Sequence, residues 1–137
     1  MEIMEERLLR PELLPQTLWD RDASALYLPP CLAAAYKTLI ARHSLKALAG
    51  QRDANNPPVG GLSQGDTDKH FAQAFDGSAA RTQLAILNPH GLTTSASNSF
   101  LACLAGNTVR LVDAPCGAGA ASFAFLSTVA GVNPILS

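Results

Sequence analysis

The sequence predicts an α/β chain in which a mainly helical N-terminal region leads into the first strand, glycine loop and helix of a larger parallel sheet. Three observations predict this class. Residues 108–112, Thr-Val-Arg-Leu-Val, are a short β-branched run typical of a buried strand. Asp113 follows, and then a turn that contains Gly117 and Gly119. Residues 120–130 are mostly small and apolar, which suits a helix lying on a sheet.

The amino-acid composition disfavours several classes of protein: disordered, nucleic-acid-binding and membrane-spanning. The chain has 137 residues, of which 47% are hydrophobic and 15% charged, so it can form a folded core. The net charge is −1, and we expect no nucleic-acid interface in this segment because no basic patch is available to bind phosphates. The uncharged stretch 114–137 is interrupted by proline and glycine and is too weakly apolar to predict a membrane span.

The cysteines predict the redox setting. Cys31, Cys103 and Cys116 are odd in number and widely spaced, which fits neither a disulfide framework nor a metal cluster. We therefore predict no metal site and a reducing, cytoplasmic location. Cys31 and Cys103 fall on apolar faces of predicted helices, where we expect them in the core.

The mainly helical region covers residues 1–106. The predicted helices are, in chain order, 1–10, 12–19, 30–49, 67–76, 79–87 and 96–105. Residues 51–65 contain two prolines, three glycines and two asparagines, and we expect a flexible loop there. Its pair Gly60 and Gly61 is not followed by Lys-Ser or Lys-Thr, so it does not predict a triphosphate-binding loop.

The turn after residue 112 has the features of a ligand-binding loop; its residues are Asp113, Ala114, Pro115, Cys116, Gly117, Ala118 and Gly119. A strand that ends in a tight turn brings backbone N–H groups and a helix N-terminus to one sheet edge. Glycines let a ligand approach the backbone, and the Asp113 carboxylate suits a cationic or hydroxylated group. The loop contains no lysine, which disfavours a triphosphate. Cys116 has no base nearby in sequence, so we expect a loop residue rather than a nucleophile.

These residues resemble a known motif. Residues 109–119, Val-Arg-Leu-Val-Asp-Ala-Pro-Cys-Gly-Ala-Gly, are similar to motif I of the class I S-adenosylmethionine-dependent methyltransferases. In that family the first strand ends in an acidic residue, and a Gly-x-Gly-x-Gly turn follows. Asp113 matches the acidic position, and Gly117 and Gly119 match the second and third glycines. Pro115 stands in place of the first glycine, a variant seen within the family.

The resemblance implies that residues 107–137 begin a Rossmann-like domain that binds S-adenosylmethionine along residues 113–119. Asp113 would face the methionine amino group, directly or through water. The reaction would be methyl transfer to an acceptor, for which the sequence indicates neither an identity nor a catalytic residue. The family's later strands, ribose-binding acidic residue and substrate-facing motif have no counterpart in this sequence. We therefore expect an incomplete sheet, in an N-terminal part or truncated product of a methyltransferase that is not active alone.

Two other interpretations stay open. In a non-catalytic helical interaction protein the glycines would only form a turn, which explains residues 1–106 but gives no reason for the loop. A fragment of a dinucleotide-binding oxidoreductase would need Gly-x-Gly-x-x-Gly, but Ser122 stands at the last position of that pattern. An aspartate directly before the loop is also less typical of that class.

Overall fold

A computed structural model describes residues 5–106, 108–114 and 117–136, the last three of these by their backbone only. The described residues are mostly helical. They form five α-helices, two 3-10 helices and one hairpin: a 3-10 helix (Pro11–Leu13), β1 (Trp19–Asp20), β2 (Ala25–Leu26), α1 (Pro30–Arg42), α2 (Lys46–Gly50), α3 (Gln64–Leu87), α4 (Thr94–Ala102), a 3-10 helix (Cys103–Ala105) and α5 (Ala120–Leu136). Within the described ranges, no helix is long and apolar enough to cross a membrane.

The predicted α/β fold with a Rossmann-like sheet is wrong. The sheet of the described residues has two antiparallel strands, β1 and β2, with Trp19 opposite Leu26. Residues 108–112, expected as the first parallel strand, belong to no helix or strand and are exposed, Val112 by 87%. A β-branched run forms a buried strand only where other strands bind its backbone and a second layer covers its side chains. The described part of the chain supplies neither to these residues.

Helix α3 is longer than predicted. We expected two helices that meet at Asp76 and Gly77, but α3 continues through both for 24 residues. It begins at the Ser63 cap, whose hydroxyl accepts the Asp66 N–H at 3.1 Å, and ends at Asn88 in the left-handed conformation, with φ of 47°. A glycine inside a helix costs about 1 kcal/mol. Packing of the neighbouring turns outweighs this cost, since Phe75 and Ala79 are both buried.

The helix expected over 30–49 is broken into α1 and α2. Ser44 has a φ of 55°, and this left-handed residue lies between the end of α1 and the start of α2. Helix α2 includes Gly50, one residue beyond the predicted end of the helix at residue 49. Residues 5–10, expected to be helical, are not, and residues 1–4 lie outside the described residues. Cys31 and Cys103 are exposed free thiols rather than core residues.

The two helices predicted before and after the glycine-containing loop 113–119 are confirmed. The helix expected over 96–105 is α4 with the 3-10 turn that follows it, and the helix expected from residue 120 is α5, which extends to Leu136. Alanines of α5 pack on α3 in one of two apolar clusters: Leu32, Phe75, Ala79, Ala120 and Ala124. The other cluster is Leu9, Leu18, Leu87, Leu101 and Val132. The contact between α3 and α5 therefore fixes where the predicted loop enters α5.

Candidate functional site

The candidate site lies where residues 113–119 enter α5, and we call the described residues of 113–122 the glycine corner. Asp113 Oδ2 accepts the Ser122 hydroxyl at 2.8 Å and the Ser122 backbone N–H at 3.3 Å. Ser122 belongs to the first turn of α5, in which the Gly119 carbonyl accepts the Phe123 N–H at 2.9 Å. The Asp113 carboxylate thus caps a helix N-terminus, where negative charge is stabilised. This cap, rather than a strand, holds Asp113 in place.

The backbone conformation of the glycine corner favours glycine at both positions 117 and 119. Gly117 has a φ of 53° and Gly119 a φ of 76°, in the left-handed region that other residues rarely adopt. A Cβ on Gly119 would also lie 3.1 Å from Cε2 of Phe123. The turn conformation therefore explains these two glycines even without a ligand.

A cavity of about 560 Å³ lies beside the glycine corner, a volume typical of small-molecule sites. Its described lining residues are Gly60, Gly61, Thr67, His70, Ser78, Asp113, Gly117, Ala118 and Ala121. Of the predicted site residues, Asp113, Gly117 and Ala118 are thus brought together on one cavity. Ala114 and Gly119 are not among the lining residues, and Pro115 and Cys116 lie outside the described residues.

The sequence alone did not predict the wall of this cavity that comes from α3 and the loop before it. A Cβ built on Gly60 would lie 3.1 Å from His70 Cγ, and one on Gly117 would lie 3.8 Å from His70 Cε1. The imidazole therefore lies next to both glycine backbones. The available signal was that His70 and Ser78 follow Thr67 by three and by eleven residues, which places all three on one face of a helix.

The charges around the cavity disfavour a polyphosphate. Asp113 is an acidic lining residue, and no Lys or Arg is among the described residues that line the cavity. Arg52, in the loop before α3, is held elsewhere: its Nη2 contacts Asp76 Oδ1 at 2.9 Å and the Ala72 carbonyl at 3.3 Å. The lining suits a neutral or cationic ligand with hydrogen-bonding groups.

No family model, curated protein or solved structure matches the chain. Within the described residues there is also no group of three or more His, Cys, Asp or Glu side chains that could hold a metal ion. The features that distinguish this site are therefore the motif residues and the cavity that they line.

Proposed function

We propose that the chain binds S-adenosylmethionine in the cavity beside the glycine corner, as part of a methyltransferase. The observation that carries this proposal is that Asp113, Gly117 and Ala118, all within the stretch that resembles motif I, line the same cavity. The cavity volume and the lack of Lys and Arg among its described lining residues fit this ligand, which has a cationic sulfonium and an ammonium group. A cytoplasmic location fits the exposed free thiols of Cys31 and Cys103.

The residues of the corner would bind and orient the ligand. A carboxylate offers about four lone-pair positions. Asp113 can therefore accept an ammonium N–H in addition to its two bonds from Ser122. Gly117 leaves room for close approach to the backbone, since a Cβ there would project towards His70. When bound, S-adenosylmethionine supplies the electrophilic methyl group, and the protein contributes position and exclusion of water. The acceptor is not identified by these residues.

Calorimetric titration with S-adenosylhomocysteine, and separately with NAD, tests the proposal. We expect the wild-type chain to bind the former and not the latter. Asp113→Asn keeps the helix cap, because Asn caps as well as Asp, but removes the charge. Loss of a charged hydrogen bond predicts affinity lower by about tenfold or more, with little change in Tm.

The matched control is Asp53→Asn. Asp53 is an exposed carboxylate that accepts the Asn55 N–H in the loop, and it is not among the lining residues of the cavity. This variant should bind like the wild type. A folded wild-type chain that releases no heat with S-adenosylhomocysteine would overturn the proposal, and binding of NAD in its place would favour the dinucleotide interpretation.

A non-catalytic helical interaction protein is the second candidate. The observation that favours it is that the cap on Ser122 and the left-handed backbone give Asp113, Gly117 and Gly119 purely structural roles. The described residues are also mostly helical, as such a protein would be. Under this alternative, neither ligand binds.

A further inference from the structure

We infer that the face of α3 formed by Thr67, His70 and Ser78 holds the nucleoside half of the ligand, while the glycine corner holds its amino-acid half. We call these three residues the polar face of α3. The inference rests on the proposed function and extends it to residues outside the stretch that resembles motif I. It gives the helical N-terminal region a direct part in ligand recognition.

The polar face and the glycine corner belong to separate elements that line one cavity. Thr67, His70 and Ser78 come from α3, whereas Asp113, Gly117 and Ala121 come from the corner and the start of α5. Alanine contacts between α3 and α5 hold these elements together. A ligand that occupies the cavity can therefore contact both elements at once.

His70 has a defined place between the two elements. Its side chain is half-buried, and its Cγ and Cβ would lie 3.1 and 3.2 Å from a Cβ on Gly60. Those distances are shorter than ordinary van der Waals contact, so a Cβ at position 60 would require the ring to shift by a few tenths of an ångström. The Cε1 edge of the ring is near Gly117. Gly60 thus acts as a positioning residue for His70.

The hydrogen-bonding groups of the polar face suit a nucleoside. The Thr67 hydroxyl donates to the Ser63 carbonyl at 3.0 Å and keeps lone pairs that can accept from a ligand hydroxyl. The Ser78 hydroxyl accepts from Arg81 at 3.3 Å, so its proton can be donated. The imidazole offers hydrogen bonds and a flat surface on which a base can lie. Hydroxyl groups next to an aromatic base are the defining features of a nucleoside.

The test uses two probes: S-adenosylhomocysteine, and 5′-methylthioadenosine, which has the nucleoside but no amino acid. We expect the wild-type chain to bind both. His70→Ala should weaken both by about five- to tenfold, as expected for the loss of a hydrogen bond and a ring contact. Asp113→Asn should weaken only S-adenosylhomocysteine. His90→Ala is the control, because His90 is an exposed histidine away from the cavity that packs on Trp19.

Gly60→Ala provides a second variant that leaves every polar group in place. Its Cβ would shift the imidazole by a few tenths of an ångström, and we expect binding of both probes to weaken by about two- to fivefold. Gly50→Ala is its control, since a Cβ there meets nothing within 4 Å. Circular dichroism would establish that each variant is folded.

The possible results separate this inference from the proposed function. If the wild type binds S-adenosylhomocysteine, and the His70 and Gly60 variants bind both probes within about twofold of it, the inference is wrong and the proposed function stands. If 5′-methylthioadenosine binds in a His70-dependent way and the amino-acid half adds no affinity, the assignment of the nucleoside to the polar face of α3 stands. The assignment of the amino-acid half to the glycine corner and the methyltransferase proposal then both fail. No binding of either probe overturns both.

Discussion

We call helices α1–α5 and the N-terminal residues packed on them the helical body. The helical body and the segment 108–112 contain the same kind of apolar side chain, which is buried in the first and exposed in the second. In the body, Leu87 and Val132 are fully buried where α3 and α5 meet the N-terminal residues Leu9 and Leu18. In the segment, Leu111 is 44% exposed and Val112 87%. Burial of apolar area is the main stabilising term in folding, so the body contributes most of the stability. The segment leads to a corner that is anchored at Asp113 and lines the cavity.

This difference shows what each pattern needs in order to fold. A helix satisfies its own backbone hydrogen bonds and needs only one apolar face to be covered. Helix α5 meets that need by placing Ala120 and Ala124 against α3. A strand must obtain its hydrogen bonds from other strands. The β-branched sequence of 108–112 cannot supply those by itself.

The largest difference in stability is expected between the variants Leu87→Ala and Val112→Ala. Leu87 is fully buried in its apolar cluster, so its truncation should lower the free energy of unfolding by about 2–5 kcal/mol. Val112 is 87% exposed, and its truncation should change that free energy by less than about 0.5 kcal/mol. Urea denaturation of both variants checks the contrast. Equal losses would mean that the segment is as well packed as the body.

An intermediate effect is expected at the glycine corner itself. Gly119→Ala puts a side chain on a residue with φ of 76° and within 3.1 Å of the Phe123 ring, so we expect a loss of about 1–2 kcal/mol. Gly50→Ala, at the end of α2 with open space around it, should be neutral or stabilising by up to about 1 kcal/mol. Thermal unfolding of the pair measures the difference. A Gly119 variant as stable as the wild type would argue against the left-handed turn.

The smallest expected change in stability is for a substitution of Tyr36, in the helical body. Its hydroxyl donates to the Ala72 carbonyl at 2.8 Å, and its ring stacks on Phe75. Burial, and then the charge of Asp76, raise the pKa of Tyr36 above its ordinary value of 10.0, although Arg52 lowers it in part. A raised pKa favours the neutral phenol in the folded state. The resulting stabilisation is present below the unfolded pKa and is lost as pH rises through the folded pKa.

Tyr36→Phe separates this titration from packing. At neutral pH the variant should lose about 0.5–1.5 kcal/mol, the usual value of one hydrogen bond. Because phenylalanine does not titrate, the gap between the two proteins should narrow above about pH 10. Urea midpoints measured near pH 8 and near pH 10.5 provide the comparison. If the difference in stability between the two proteins stays constant with pH, the Tyr36 hydroxyl has the same pKa in the folded and unfolded states.

What the sequence predicted correctly was local. The start of α5 follows from small residues after a glycine turn, and Asp113 and Gly117 do lie together at its N-terminal end. The continuous α3 was missed because burial of residues such as Ala79 outweighs the local preference of Gly77. The left-handed Ser44 that breaks α1 from α2 has no signal in residue type, since serine rarely adopts that conformation.

What failed depends on contacts between distant residues. The strand prediction for 108–112 assumed neighbouring strands that the described residues do not contain. The sequence does not show that Gly60 and His70 form a wall of the cavity, because the loop, α3 and the corner meet only in the folded chain. Residue spacing within α3 could indicate that Thr67, His70 and Ser78 share a face, but not what that face meets.

We propose that the glycine corner and the polar face of α3 form one ligand site beside a stable helical body. Amide hydrogen exchange with and without saturating S-adenosylhomocysteine tests it most directly. We expect added protection at 60–70 and at the glycine corner, and unchanged exchange at 79–87, a part of α3 in which Ala79, Ile86 and Leu87 are buried. Protection spread evenly over the chain, or none at either part of the site, would contradict the proposal that the two parts form one site.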